Sequence, residues 1–215
     1  MFITFEGIEG CGKSTQSRMV LDHLQLRGVS ALWTRQPGGC DLGVRLRSLL
    51  LGREGEGLTP LSELFLYLAD RAQHVAEVIR PALAAGTVVL CDRFTDSTLA
   101  YQGYGRGLDV SLIHRLNTVA VDGCWPDLTL ILDLPVETGL ARARSRNEDQ
   151  GQTESEGRFE AEETAFHQRI RDGYLALAAE NPGRYVVIPA DGEPEEVFGR
   201  VWPTVCSRLE IIEQQ

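Results

Sequence analysis

Gly7-Ile8-Glu9-Gly10-Cys11-Gly12-Lys13-Ser14 is the stretch from which the rest of the chain is read. It follows the pattern G-x-x-x-x-G-K-[ST] and lies between a short apolar run, Phe2 to Glu6, and a helical pattern that starts at Lys13. Glycines let the backbone curl so that successive N–H groups point inward, and the following helix turns its partly positive end toward the same spot. Residues Gly7 to Thr15 therefore read as a cradle for the phosphates of a nucleotide. In it, Lys13 reaches the β- and γ-phosphates and Ser14 offers a hydroxyl to Mg²⁺.

Outward from the cradle, short apolar runs alternate with longer helical patterns, the signature of an α/β domain on a parallel sheet. Five runs read as strands: Phe2 to Glu6, Ser30 to Thr34, Thr87 to Asp92, Leu128 to Asp133 and Arg184 to Ile188. The third and fourth are nearly continuous apolar, as central strands covered on both faces should be. The first carries the cradle at its end, which places it in the middle of the sheet beside a topological switch point. The clearest helix has apolar residues at Leu61, Leu64, Phe65, Leu68, Ala72, Val75, Ala76 and Ile79, and Pro81 and Gly86 help close it. Other helices are expected from Lys13 to Arg27, Gly43 to Leu51, Val110 to Val121, Val136 to Arg146, Glu160 to Glu180 and Glu195 to Glu210, the last bent near Pro203.

Length fits one domain over residues 1–215. With 21 basic and 31 acidic residues the chain carries −10, a field that opposes nonspecific attachment to nucleic-acid polymers or an anionic bilayer. An anionic ligand must then be held by local donors. Five scattered cysteines without a C-x-x-C pair suggest neither a disulfide framework nor a zinc site and suit a reducing cytoplasm. No signal peptide is expected, since Met1 to Glu6 lacks a basic n-region and a long apolar stretch, and no membrane span, since no run of about 18 apolar residues occurs.

A magnesium nucleotide needs a carboxylate near the metal, and Asp92 closes an apolar strand where such a residue belongs. Asp133 closes another, but the Pro135 that follows makes it a strand-end or capping aspartate. Glu9, inside the cradle, suits either a metal-bound water or a substrate hydroxyl. Arg47, Arg71, Arg93, Arg146 and Arg158 fall at element ends or in loops around the cradle, as would suit gripping a second phosphate and a transferring phosphoryl group. The stretch NEDQGQTESEG, Asn147 to Gly157, has no apolar residue. It reads either as a solvated connection or, with flanking arginines, as a mobile lid at about residues 147–158.

At this point the chain resembles the bacterial thymidylate kinases. The carrying motifs are FEGIEGCGKST at the cradle, TRQPGG at Thr34 to Gly39, LRSLLL at Leu46 to Leu51 and LYLADR at Leu66 to Arg71. DRFTDSTLAYQGYGRG at Asp92 to Gly107, PDLTLILDL at Pro126 to Leu134 and GRFE at Gly157 to Glu160 complete the series. The resemblance implies a P-loop NTPase fold: a three-layer α/β sandwich with a five-stranded parallel sheet, helices on both faces and a small lid. It implies a kinase that passes the γ-phosphoryl of ATP to dTMP with Mg²⁺, working as a homodimer.

By the same resemblance, Arg47 and Arg93 grip the acceptor phosphate, Glu9 belongs to both substrate sites, and Arg71 donates to a thymine carbonyl. Ser97 and Thr98 line the base edge with Gln102 nearby, and Tyr101 stands against the deoxyribose. Tyr67 and Arg71, four residues apart, share a helix face and can present a ring and a guanidinium to one base. Catalysis falls to Lys13, Arg93 and a lid arginine, Arg158 ahead of Arg146, because the cradle itself holds Glu9-Gly10-Cys11 and no arginine. Three residues depart from the family pattern: Gln36 and Gly157 replace acids, and Tyr67 stands where phenylalanine usually stacks on thymine.

Another nucleoside or nucleoside-monophosphate kinase of the same fold, a GTPase switch and a noncatalytic nucleotide-binding module compete with this reading. The absence of an N-K-x-D motif speaks against the switch. Cys11, beside a helix N-terminus and Lys13, is expected to be the most oxidisable thiol, provided that solvent reaches it.

Overall fold

The computed structural model describes residues 1–149, 158–159 and 161–211. Five strands, β1 (Phe2–Glu6), β2 (Ala31–Arg35), β3 (Val88–Asp92), β4 (Leu128–Asp133) and β5 (Tyr185–Pro189), pair in parallel in the order β2-β3-β1-β4-β5. β1 is the middle strand, and β3 and β4, the two near-continuous apolar runs, flank it. Successive residues of a strand face opposite sides. Phe2 accordingly packs with Val75, Ile79, Phe94 and Val121, while Ile3 and Phe5 join the cluster that contains Val20 and Leu24. Helices thus cover both faces, giving the three expected layers.

The helices are α1 (Lys13–Leu26), α2 (Asp41–Leu51), α3 (Pro60–His74), α4 (Thr95–Thr98, continued as a π-helical segment over Leu99–Gly105), α5 (Val110–Val121), α6 (Val136–Asp149), α7 (Thr164–Glu180) and α8 (Pro194–Leu209). Four depart from the expected pattern. α3 passes through a π-helical turn, Val75–Ile79, and runs on past Pro81 in a last helical stretch, Arg80–Ala84, closing before Gly86, whose φ is +77°. A proline ring collides with the carbonyl four residues earlier, here Glu77, and the widened turn around Glu77 accommodates it. Helix α7 starts at Thr164 rather than Glu160.

Helix α4 is not among the expected helices, and it contains two glycines, Gly103 and Gly105, that a helix interior disfavours. They are clearances: a Cβ on Gly105 would lie 2.7 Å from the Phe166 ring of α7. Asn147 to Asp149, expected in the loop, belong to α6, and the rest of the expected lid up to residue 157 lies outside the described residues. Among the described residues, no helix is long and apolar enough to cross a membrane.

Candidate active site

The cradle is built by the turn from β1 into α1. Gly7 and Gly10 hold φ of +135° and +69°, and a Cβ at Gly10 would stand 2.0 Å from the Gly139 carbonyl oxygen, so close approach and backbone conformation both demand glycine. Lys13 curls back into the loop, where Nζ donates to the Ile8 carbonyl at 2.6 Å and lies 3.4 Å from Cys11 Sγ. Register brings the strand-end acid alongside: Phe5 of β1 pairs with Asp92 of β3. The Ser14 hydroxyl donates to Asp92 Oδ2. Asp133, at the end of β4, is instead engaged by Arg171 through two bonds of 2.7 and 2.9 Å.

A second constellation grows from Arg93, directly after β3. Its φ of +69° is rare for a residue with a side chain. The backbone N–H donates to the Phe5 carbonyl, and the guanidinium reaches Gly7 O at 3.1 Å, Ser97 Oγ at 3.2 Å, Tyr101 OH at 2.9 Å, Tyr174 OH at 3.3 Å and Glu9 Oε1 at 3.3 Å. Tyr101 also donates to Glu9 Oε1, and His167 Nδ1 lies 3.2 Å from Glu9 Oε2. Burial alone would raise the Glu9 carboxyl. The His167 hydrogen bond and the charges of Arg93, His167 and Lys13 outweigh it and hold the group at about 2. Beneath lies Glu6, buried against Phe94 N, Ser97 and Tyr174, its carboxyl pushed up by burial and by the charge of Asp96.

The third side comes from α3 and the loop after β2. Arg71, 1% exposed, donates from Nε to Gln36 Oε1 (3.0 Å), from Nη1 to Thr98 Oγ1 (3.2 Å) and Asn117 Oδ1 (2.7 Å), and from Nη2 to the Phe94 carbonyl (2.8 Å). Gln36 gives its amide N–H to His74 Nδ1 at 2.9 Å, and His74 Nε2 meets Thr34 Oγ1 at 2.7 Å. Burial and the Arg71 charge push His74 down to about 4, so the ring is neutral, and a neutral amide suits it. The Gln36 departure is thus matched by its neighbour. Arg47 donates to the Pro37 carbonyl at 3.0 Å. Tyr67 is half-buried, with its phenol pushed up by burial, and it shares a wall with Arg71.

These groups surround one cavity of about 640 Å³, large enough for nucleotide-sized ligands. Its lining includes Glu9, Gly10, Gly12, Lys13, Ser14, Thr15 and Asp92 together with Arg47, Tyr67, Arg71, Arg93, Ser97, Thr98, Tyr101 and Gln102. Gly7, Ile8 and Cys11 are not among the lining residues; the first two act through carbonyls behind the cradle. Cys11 is 1% exposed and packed in the core, so the accessibility on which its expected reactivity depended is missing. Arg146 lines the cavity. Arg158 does not: its guanidinium donates to Glu63 Oε2 at 2.6 Å and to the Leu50 carbonyl at 2.8 Å.

Glu63, Glu6, His167, Tyr174 and Asn117 went unnoticed in the sequence. Glu63 reads as a surface position beside an apolar stripe, yet it is buried beneath Gln102, Arg106 and Arg158. His167 and Tyr174 are seven residues apart, two turns along one face of α7, and that spacing was the available signal. The Ser14 hydroxyl and the Asp92 carboxylate are hard oxygen donors side by side at the cradle, a donor set that would fit a magnesium ion. Among the described residues, no group of three or more His, Cys, Asp or Glu is arranged to hold a metal.

The thymidylate kinase family model matches residues 5–201. Thymidylate kinase of Solidesulfovibrio magneticus is 60% identical over 209 residues, spanning 97% of this chain and 100% of that protein. The Desulfovibrio desulfuricans thymidylate kinase is 61% identical over 197 residues, or 92% of this chain and 91% of the relative. The crystal structure of thymidylate kinase from Ehrlichia chaffeensis matches with a TM-score of 0.75 at 37% identity, over 95% of this chain and 97% of that one. Sheet order, cradle and these matches across nearly the full length agree: the chain belongs to the thymidylate kinase family.

Proposed function

We propose that the cavity aligns the two substrates of the family's reaction, γ-phosphoryl transfer from ATP to dTMP giving ADP and dTDP, with ATP on the cradle and dTMP between α3 and α4. The observation that carries this reading is the single cavity lined by Lys13, Ser14 and Asp92 together with Tyr67, Arg71, Arg93 and Tyr101. Backbone N–H groups and Lys13 take the donor phosphates. Ser14 and Asp92 hold Mg²⁺, which neutralises charge on the β- and γ-phosphates when bound. Arg47 and Arg93 take the acceptor phosphate.

Tyr67 stacks on thymine, and Ser97, Thr98 and Gln102 line its edge. Arg71 has five N–H donors, four of which are engaged by partners among the described residues, so one Nη2 N–H remains for a thymine carbonyl. Tyr101 and Glu9 face the deoxyribose. Arg146 is the better placed of the two lid arginines, because it lines the cavity while Arg158 is engaged by Glu63 and the Leu50 carbonyl. The protein works as a cytoplasmic homodimer without nucleic-acid or membrane partners, a reading supported by the resemblance and by the −10 net charge.

The division of the cavity is tested by calorimetric titration. Lys13→Ala is expected to lose binding of a nonhydrolysable ATP analogue and keep dTMP binding, whereas Tyr67→Ala weakens dTMP about tenfold and leaves the analogue unchanged. Loss of both ligands in either variant would contradict the division.

A further inference from the structure

His167 is fully buried on α7, and both of its ring nitrogens meet oxygen. Nδ1 lies 3.2 Å from Glu9 Oε2, and Nε2 lies 3.0 Å from the carbonyl oxygen of Phe159, the residue after Arg158. A neutral imidazole has one N–H and satisfies one accepting oxygen; a ring with two N–H groups satisfies both. A carbonyl only accepts, and Glu9 is held ionised by its cationic neighbours, so both ring nitrogens face accepting oxygens. The Phe166 ring stands edge-on to the imidazole at 5.4 Å and limits its rotation.

The partners of Glu9 divide by oxygen. Oε1 is taken by Tyr101 and Arg93, whereas Oε2 is taken by His167. Phe159 in turn packs edge-on against the Tyr101 ring at 5.4 Å. One imidazole therefore ties the cradle carboxylate to the turn that carries Arg158. Without it, Glu9 keeps only its Arg93 and Tyr101 bonds and is drawn further onto Arg93, in competition with the acceptor phosphate.

We propose that His167 is a positioning residue for phosphoryl transfer, donating at once to Glu9 and to Phe159 so that the cradle carboxylate stays placed on the acceptor side and Arg93 stays available to the acceptor. The proposal rests on the reading of Glu9 as an acceptor-site group. His167→Phe removes both donors and keeps an aromatic ring, while His167→Asn keeps a donor near the Nδ1 position. His167→Phe is expected to raise KM for dTMP about tenfold with KM for ATP within about twofold, and His167→Asn to recover most of the loss. In a Glu9→Gln background, His167→Phe should add less than about a twofold change, because the residue acts through Glu9.

If Glu9→Gln alone leaves KM for dTMP unchanged, the acceptor-site reading of Glu9 is overturned and the proposal falls with it. If Glu9→Gln raises that KM but His167→Phe does not, or shifts both substrates equally, the proposal alone is overturned. Nitrogen-15 histidine NMR of the unmodified protein provides a readout independent of turnover and of variant folding. Two exchange-protected ring N–H signals on His167 support the double donation, and a single one contradicts it.

Discussion

Arg93 combines a left-handed backbone with a guanidinium shared among five oxygen atoms, and the two features have a common origin. Turning the chain immediately after β3 points the side chain back across the cradle, and the backbone conformation costs about 1 kcal/mol for a residue with a Cβ. Glycine would adopt the turn freely. Arg93→Ala and Arg93→Gly are therefore both expected to lose at least about 10³-fold in kcat/KM, with Arg93→Gly the more stable of the two to urea by about 1 kcal/mol. Equal stabilities would remove the strain argument, and near-normal turnover in either would remove Arg93 from the chemistry. Residues carried by a local motif, such as Lys13, Ser14, Asp92 and Arg93, were legible because their neighbours in sequence are their neighbours in space. Glu9 was legible as a candidate, but its anchor His167 lies 158 positions away and no local pattern connects them. Cys11 shows the converse: its place beside Lys13 and a helix N-terminus was legible, but burial, on which its reactivity depends, is set by the tertiary packing and was not.

At the scale of elements, strands were easier to recognise than helices. Val88–Asp92 and Leu128–Asp133 are nearly continuous apolar because both sheet faces are covered, a pattern that few other environments impose. Helix α4 resisted reading for the opposite reason. It is packed against α7 so closely that glycine is required, and glycine in a sequence suggests a break. Gly105→Ala would bring a methyl group to 2.7 Å from Cε2 and 3.2 Å from Cζ of Phe166. The expected result is a loss of about 1–3 kcal/mol in urea unfolding, together with weaker dTMP binding, since α4 carries Thr98, Tyr101 and Gln102. An unchanged midpoint would show that α7 yields without cost.

For the whole molecule, topology followed from few signals: the cradle fixed β1 at the centre, and right-handed parallel crossovers left little freedom for the rest. The polar interior was not legible, because the partners of Arg71, Gln36 and His74 come from different elements. That interior sets a pH response. His74 is held near 4 by burial and Arg71, below its unfolded value, so the unfolded chain binds the proton more readily. Its contribution, on the order of 3 kcal/mol, is complete above pH 6.5 and is lost as pH falls through about 4. Glu9 acts in a lower window: its contribution is present above pH 4.5 and is lost as pH falls through about 2. Urea midpoints should fall between pH 6.5 and 4, and His74→Asn should flatten that fall relative to the parent; parallel curves would contradict the assignment.

The central claim is that one cavity brings ATP and dTMP together for phosphoryl transfer. Its most direct measurement mixes the purified protein with Mg·ATP and, separately, dTMP, dUMP, thymidine, AMP or GMP, and follows ADP and the diphosphate product. The expected result is rapid, stoichiometric formation of ADP and dTDP with dTMP and little ADP when no acceptor is present. Equal ADP release without an acceptor, or preferred turnover of AMP or GMP, would contradict it.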